Sequence, residues 1–199
     1  MIAGRVEGNG SEERAWLRAA QRGDKAAFGQ IVRRYHRLVV SVAWRLSGDP
    51  ELANDVAQET FLAAWLGLPS FRPEGDASLR AWLCRIAHNR AVDALRSRRP
   101  QVSFDRLTLV SESDRGGLPV VDSVEVQRAE TRPAVQAAVL ALTDDLRAVI
   151  VLREFEGLSY GEIAAALAIP PGTVMSRLHT ARRRLAVALA PLVTMEVTA

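Results

Sequence analysis

This chain has few residues suited to covalent or phosphoryl chemistry: three histidines (His36, His88, His179), one cysteine (Cys84) and no G-x-x-x-x-G-K-[ST] loop. The histidines are far apart in sequence, and no Ser/His/Asp grouping can be argued from the order of residues. Cys84 and His88 stand at i, i+4 on an expected helix, but two ligands make a poor metal site, and helix packing accounts for the pair. The chemistry on offer is recognition by charge and hydrogen bonds. It is densest in Leu158–Leu185, LSYGEIAAALAIPPGTVMSRLHTARRRL. Between Gly172 and Leu185 stand Arg177, Arg182, Arg183 and Arg184 and no acid, whereas a merely solvated face mixes signs.

These residues need a helix to present them. Ser159 and Glu162 have the S-x-x-E spacing of a capping box, so a helix starts at Ser159, with Ile163, Ala164 and Leu167 on its apolar side. Ala168-Ile169-Pro170 stops it, and Pro171 suits the first position of the next helix, where a missing N–H costs nothing. There Val174, Leu178, Ala181 and Leu185 form the inward stripe. Ser176, His179 and Arg183 point the other way, flanked by Thr173, Met175, Thr180 and Arg182. Such a helix fits a DNA major groove, reading base edges with its tip and phosphates with its arginines. An amphipathic pair with a solvated basic face is the bland alternative.

Upstream, Phe28, Ile31, Val32, Tyr35, Val39, Val42, Ala43 and Leu46 give a helical period from Ala26 to Ser47. Gly48 breaks it, and Asp49 can cap the helix that Pro50 opens. That helix buries Ala57, Phe61, Ala64, Trp65 and Leu68 and exposes Asp55, Gln58, Glu59 and Leu62. A longer one, from about Ala77 to Arg98, buries Leu79, Leu83, Ile86 and Ala87 and shows Arg85, His88, Asn89, Val92 and Arg96 elsewhere. Loop Asp76 is read as its cap. Helical pattern resumes near Pro133 and runs through Ala141; Thr143 or Asp144 caps a further helix ending near Phe155, closed by Gly157. No segment alternates as a strand does. The expectation is an all-α chain of two small helical domains joined by a flexible linker, the second a helix-turn-helix.

The divisions expected are an N-terminal extension 1–23, partly disordered; a first domain 24–100; a linker 101–131; a second domain 132–190; and a tail 191–199. The net charge of +3 hides an acidic connector of −3 between domains of +4 and +2, a pattern suited to a bipartite nucleic-acid binder. No apolar run approaches the roughly 20 residues of a membrane span, the N-terminus has no apolar signal region, and a single cysteine fits a reducing cytoplasm.

Two blocks taken together resemble a known family. DPELANDVAQETFLAAW followed by FRPEGDASLRAWLCRIAHNRAVDALRSRR, and then LREFEGLSYGEIAAALAIPPGTVMSRLHTARRRL, look like the two domains of a bacterial RNA polymerase sigma factor of the extracytoplasmic-function (ECF) group of the sigma-70 family. The resemblance spans about Asp24 to Leu189. It implies that Asp55, Gln58, Glu59 and Leu62 dock on the clamp helices of the largest subunit of core RNA polymerase, a carboxylate pair around an apolar side chain suiting a basic coiled coil. The family often has a further acid where Asn54 stands here. The flap region is a second expected contact on the polymerase.

The segment Phe71–Arg99 would engage and open the −10 promoter element. Asn89 would meet a base edge, Phe71 or Trp82 would support stacking, and Ser78 lies in the matching loop. Arg85, Arg90, Arg96, Arg98 and Arg99 would follow phosphates. The second domain would read the −35 element through Thr173, Met175, Ser176, Arg177, His179, Thr180, Arg182 and Arg183. Arginine is common in the family where Met175 and Thr180 stand, so thymine-methyl contacts would replace two guanine or phosphate contacts. The acidic linker would pass through a polymerase channel used by nucleic acid; a solvated tether explains it equally well. Promoter DNA and an anti-sigma factor are the other partners implied, with no cofactor, metal or small-molecule substrate and no enzymatic step of the chain's own. A stand-alone helix-turn-helix regulator would explain the C-terminal block only.

Overall fold

The computed structural model describes residues 10–73, 78–98 and 133–195, and every regular element among them is helical. The first half holds α1 (Gly10–Gln21), α2 (Lys25–Ser47), α3 (Pro50–Gly67), a 3₁₀ turn (Leu68–Ser70) and α4 (Leu79–Arg98). The second holds α5 (133–140), α6 (Asp144–Ile150), a π-helical turn (Val151–Phe155), α7 (Tyr160–Leu167) and α8 (Pro171–Met195). The chain is all-α, with two helical domains.

Local chemistry sets most of the boundaries. Asp24 accepts from the N–H groups of Ala26 and Ala27 and starts α2; Gly48, at φ 74°, ends it by donating to the Trp44 carbonyl. Only a residue without Cβ adopts that left-handed turn at no steric cost. Asp49 Oδ1 takes the N–H groups of Glu51 (2.9 Å) and Leu52 (3.1 Å), and Pro50 opens α3 as the spacing predicts. The Asp49 Oδ2 atom also takes Arg98 Nη1 at 2.6 Å, so one carboxylate joins the start of α3 to the end of α4.

Three elements go beyond the sequence expectations. Within the N-terminal extension 1–23, residues Gly10–Gln21 form α1, which buries Leu17 and Ala20 against α2. Its Gln21 Nε2 donates to the carbonyls of Leu68 (3.2 Å) and Phe71 (2.8 Å), and its Glu13 meets Tyr35 and Arg34. The helix expected to run unbroken to Phe155 widens into a π turn after Ile150, where Glu156 N reaches the Val151 carbonyl five residues back. The region expected as a tail carries α8 onward to Met195. The linker 101–131 and Asp76 lie outside the described residues; α4 is capped instead by Ser78, whose Oγ accepts from Ala81 N at 3.1 Å.

The two domains also pack on each other. One apolar core runs continuously from Leu17 of α1 to Ala181 of α8, with Ile31, Leu83, Ile150, Leu152, Ile163 and Leu178 almost fully buried. Each such side chain contributes about 1.5–3 kcal/mol relative to exposure. α4 lies against α7, and α2 against α6 and the π turn.

Asp49 supplies a stability test. The Leu52 N–H and then the Arg98 guanidinium hold its carboxyl below the usual carboxylate range. A folded-state value below the unfolded one gives stability that is present above the ordinary carboxyl value and lost as pH falls through the depressed one. Asp49→Ala should cost about 1 kcal/mol at neutral pH. In thermal melts the gap between wild type and variant should narrow as pH falls below about 4.

Candidate nucleic-acid and polymerase interfaces

The four residues expected to dock a partner, Asp55, Gln58, Glu59 and Leu62, share the exposed side of α3. The opposite side, from Leu52 through Val56, Ala57, Thr60 and Phe61 to Ala64, is buried against α2 and α4. Leu62 is 62% exposed, and Leu66, one turn on, is 72% exposed. Leu66 was not singled out from the sequence, although its i, i+4 spacing from Leu62 carried the signal. Two bare leucines one turn apart, flanked by carboxylates, form an apolar strip with an acidic edge.

On α4 the structure places Arg85, Asn89, Arg90 and Arg96 at the surface. Arg85, Asn89 and Arg96 fall at spacings of four and seven, so they lie along one line of the helix. Asn89 Oδ1 stands 3.3 Å from His88 Nδ1. His88 itself is half-buried, and burial holds its imidazole below the usual range. Phe71 does not stand free for stacking: it is 7% exposed, with its ring 4.5 Å from that of Trp82 at 27°. Trp82 is half-buried beneath it. Ser78 is half-buried as well, and its Oγ donates to Glu162 Oε1 of α7 at 2.7 Å. Arg98 is held by Asp49, and Arg99 lies outside the described residues.

The helix-turn-helix forms as its sequence dictates. Ser159 Oγ accepts from Glu162 N at 3.1 Å, and Glu162 Oε2 accepts from Ser159 N at 2.9 Å. Ala168 adopts φ 54°, a left-handed turn that is strained for a residue with a Cβ; Ile169 N then reaches back to the Ala164 carbonyl at 3.1 Å. The Pro170 carbonyl accepts from Thr173 N and Val174 N, and Pro171 leads α8. Val174, Leu178 and Ala181 are buried.

Outward on α8 stand Met175 (53% exposed), Ser176, His179, Thr180, Arg182, Arg183 and Arg184, with Thr173 half-buried at the tip. Ser176 Oγ donates to the Thr173 carbonyl (3.1 Å) and Thr180 Oγ1 to the Ser176 carbonyl (3.0 Å). Their hydroxyl protons are thus engaged within the helix, leaving lone pairs and the Thr180 methyl facing outward. Two of the four arginines are already paired across the domain, Arg177 with Asp145 of α6 (2.7 Å) and Arg182 with Glu154 of the π turn (2.7 Å). Sequence spacing showed no acid inside α8 because both acids arrive from earlier elements. Arg183 and Arg184 have no ion pair among the described residues, so α8 presents two uncommitted guanidinium groups beside a mixed polar and apolar tip.

Comparison with known proteins places this arrangement. The model of sigma-70 region 2 matches residues 31–101, and that of sigma-70 region 4 matches residues 132–185. The chain belongs to the sigma-70 family of RNA polymerase sigma factors, in its extracytoplasmic-function group. It is 39% identical over 187 residues to the RNA polymerase sigma-H factor of Pseudomonas aeruginosa, covering 91% of this chain and 95% of that one. It is likewise 39% identical over 180 residues to the ECF RNA polymerase sigma-E factor of Escherichia coli K12, covering 87% and 92%. Among solved structures it is similar to CnrH in complex with the cytosolic domain of CnrY, with a TM-score of 0.67, 29% identity, and 91% and 99% of the two chains covered. It is also similar to the sigma factor RpoE in complex with the anti-sigma factor NepR from Bartonella quintana, with a TM-score of 0.63, 26% identity, and 82% and 96% covered.

The capping box gives a direct check on how α8 is presented. Ser159→Ala should lower stability by about 1 kcal/mol. Ser159→Asp, which keeps an acceptor for Glu162 N, should recover most of that in the same chemical-denaturation measurement.

Proposed function

We propose that this chain directs core RNA polymerase to promoters with −35 and −10 elements and assists promoter opening, the catalytic metal remaining with the polymerase. The single observation that carries this reading is the pairing, in one chain of the sigma-70 family, of an exposed acidic and apolar face on α3 with a basic reader helix on α8. A stand-alone regulator needs the second and has no use for the first. The working divisions are a polymerase-docking and −10 domain at 24–100 and a −35 domain at 132–190, with 101–131 between them.

Each surface then has a role. Asp55, Gln58, Glu59 and Leu62, extended by Leu66, meet a basic and apolar coiled coil of the polymerase clamp, while the flap region is the second contact. Arg85, Asn89, Arg90 and Arg96 line the path of the opened −10 strand. On α8, His179, Ser176 and Met175 read base edges, the Thr180 methyl meets thymine, and Arg183 anchors phosphate. Arg177 and Arg182 position the helix through Asp145 and Glu154 and reach DNA only at the edge of the contact. An anti-sigma partner is part of the reading, because the similar sigma factor RpoE of Bartonella quintana is in complex with the anti-sigma factor NepR. No described helix is long and apolar enough to cross a membrane, in keeping with action on DNA in the cytoplasm.

Core polymerase supplemented with this chain should initiate on promoters where core alone is silent. Dependence on a second sigma factor would favour the regulator. Reversing the charges on α3 (Asp55→Lys with Glu59→Lys) should weaken core binding about tenfold or more, while binding of the chain to a −35 duplex stays unchanged. Arg183→Ala should weaken binding to all −35 sequences by a similar factor and reduce the salt slope by about one. His179→Ala should instead change the preference among bases in a competition assay. An unaltered −35 profile would overturn this assignment of the α8 face.

A further inference from the structure

A cavity of about 330 Å³ opens at the corner where the last turn of α2, the last three turns of α4 and the first turn of α6 meet. That volume falls in the range of small-molecule sites, about 300–1,000 Å³. Its apolar wall is made by Leu46, which is buried, and by Val92 and Leu95, which are half-buried. His88 adds a half-buried ring that burial keeps in its neutral form. Three guanidinium groups border the same space, those of Arg96, Arg98 and Arg147. Arg98 is answered by Asp49 at 2.6 Å and Arg147 by Asp144 at 3.5 Å. Arg96 is exposed and enters no ion pair among the described residues. The cavity therefore joins an apolar wall to one guanidinium charge that no carboxylate answers.

We propose that this cavity binds a small amphipathic anion, a carboxylate on an apolar body of about six to eight carbons, with Arg96 holding the head group and Leu46, Val92 and Leu95 the tail. The two halves of the site select the class together. A bare inorganic anion would leave the apolar wall wet, and a neutral hydrocarbon would leave the guanidinium without an acceptor. A carboxylate matches the planar fork of an arginine with two parallel N–H···O bonds, which gives the head group a fixed orientation. The anion acts as an effector, and binding alone is proposed, with no chemical step. It would touch α2 and α4 of the first domain and α6 of the second at once. Arg96 also stands in the proposed −10 path, so an occupied cavity withdraws one guanidinium from that path. The site holds whether or not that path carries DNA.

The test uses the full chain, with octanoate as the probe and amide proton–nitrogen NMR spectra as the readout. Octanoate should move the signals around Leu46, Val92–Arg96 and Asp144 and saturate below about 10 mM. Affinity should fall about two- to fourfold for each methylene removed between octanoate and butanoate, the factor that burial of a methylene supplies. Octanol, which has the same tail and no charge, should bind about tenfold more weakly than octanoate. Arg96→Gln should lose a similar factor for octanoate and none for octanol. Val92→Trp fills the cavity and should abolish saturable binding while its denaturation curve stays cooperative. Leu95→Glu sets a like charge beside the head group and serves as a second block should the tryptophan prevent folding. No saturable shifts, shifts centred elsewhere on the molecule, octanoate binding that survives both blocks, or octanol binding as tightly as octanoate would each overturn the proposal. Promoter binding and initiation do not enter these measurements, so the site and the reading of α4 stand or fall separately.

Discussion

One guanidinium holds the two halves of this molecule in register. Arg147 on α6 donates through Nη1 to the Leu46 carbonyl (2.9 Å), through Nη2 to those of Leu140 (2.6 Å) and Leu142 (2.8 Å), and through Nε to that of Val139 (3.3 Å). Leu46 belongs to the last turn of α2, and Val139 and Leu140 to the last turn of α5, so these carbonyls lie where intrahelical partners run out, the Val139 carbonyl also accepting from Leu142 N at 3.2 Å. The planar fork of five N–H groups suits such a cluster in a way an ammonium does not. The last turn of α2 is where the chain bends through Gly48 to Asp49, and Asp49 sets the starting angle of α3. The orientation of α6, and through it of α8, is thus tied to the corner from which α3 departs.

Charge is distributed by the same logic throughout. Acids stand where helices begin or where arginines need neutralising: Asp24, Asp49 and Glu162 at N-termini, Asp145 and Glu154 beside α8. Asp55 and Glu59 stand on the outer side of α3, Arg85, Arg90 and Arg96 on α4, and Arg183 and Arg184 midway along α8. Two surfaces of opposite sign emerge from one chain of nearly balanced charge, the basic one centred on the consecutive arginines Arg182–Arg184 of α8.

Features set within a few residues were legible from the sequence: the Ser159–Glu162 box, the Asp49-Pro50 start and the Val174–Leu178–Ala181 stripe each depend on neighbours at most a turn or two away. What the sequence concealed was long-range. The Arg98–Asp49 and Arg182–Glu154 pairs join residues 49 and 28 positions apart, and the Ser78–Glu162 bond spans 84. Helix α1 was missed because its apolar residues, Trp16, Leu17 and Ala20, are few and its other side is charged; its helical state follows from docking on α2. Phe71 is a stacking candidate through the resemblance of its segment to a −10-engaging one, but its ring packs 4.5 Å from that of Trp82. The π turn also has no local signature in Val151–Phe155, a run of residues that would continue an α-helix equally well.

The chain's one thiol is a silent passenger. Cys84 sits at 0% exposure between the two domains' cores, and burial pushes its sulfhydryl up to about 12, far from the thiolate form that reacts. Alkylating reagents and mild oxidants therefore have no foothold on the native molecule. A cysteine introduced at the surface becomes the one reactive position on an otherwise unaltered protein, which suits the chain to paired fluorescent labelling without first removing its own residue.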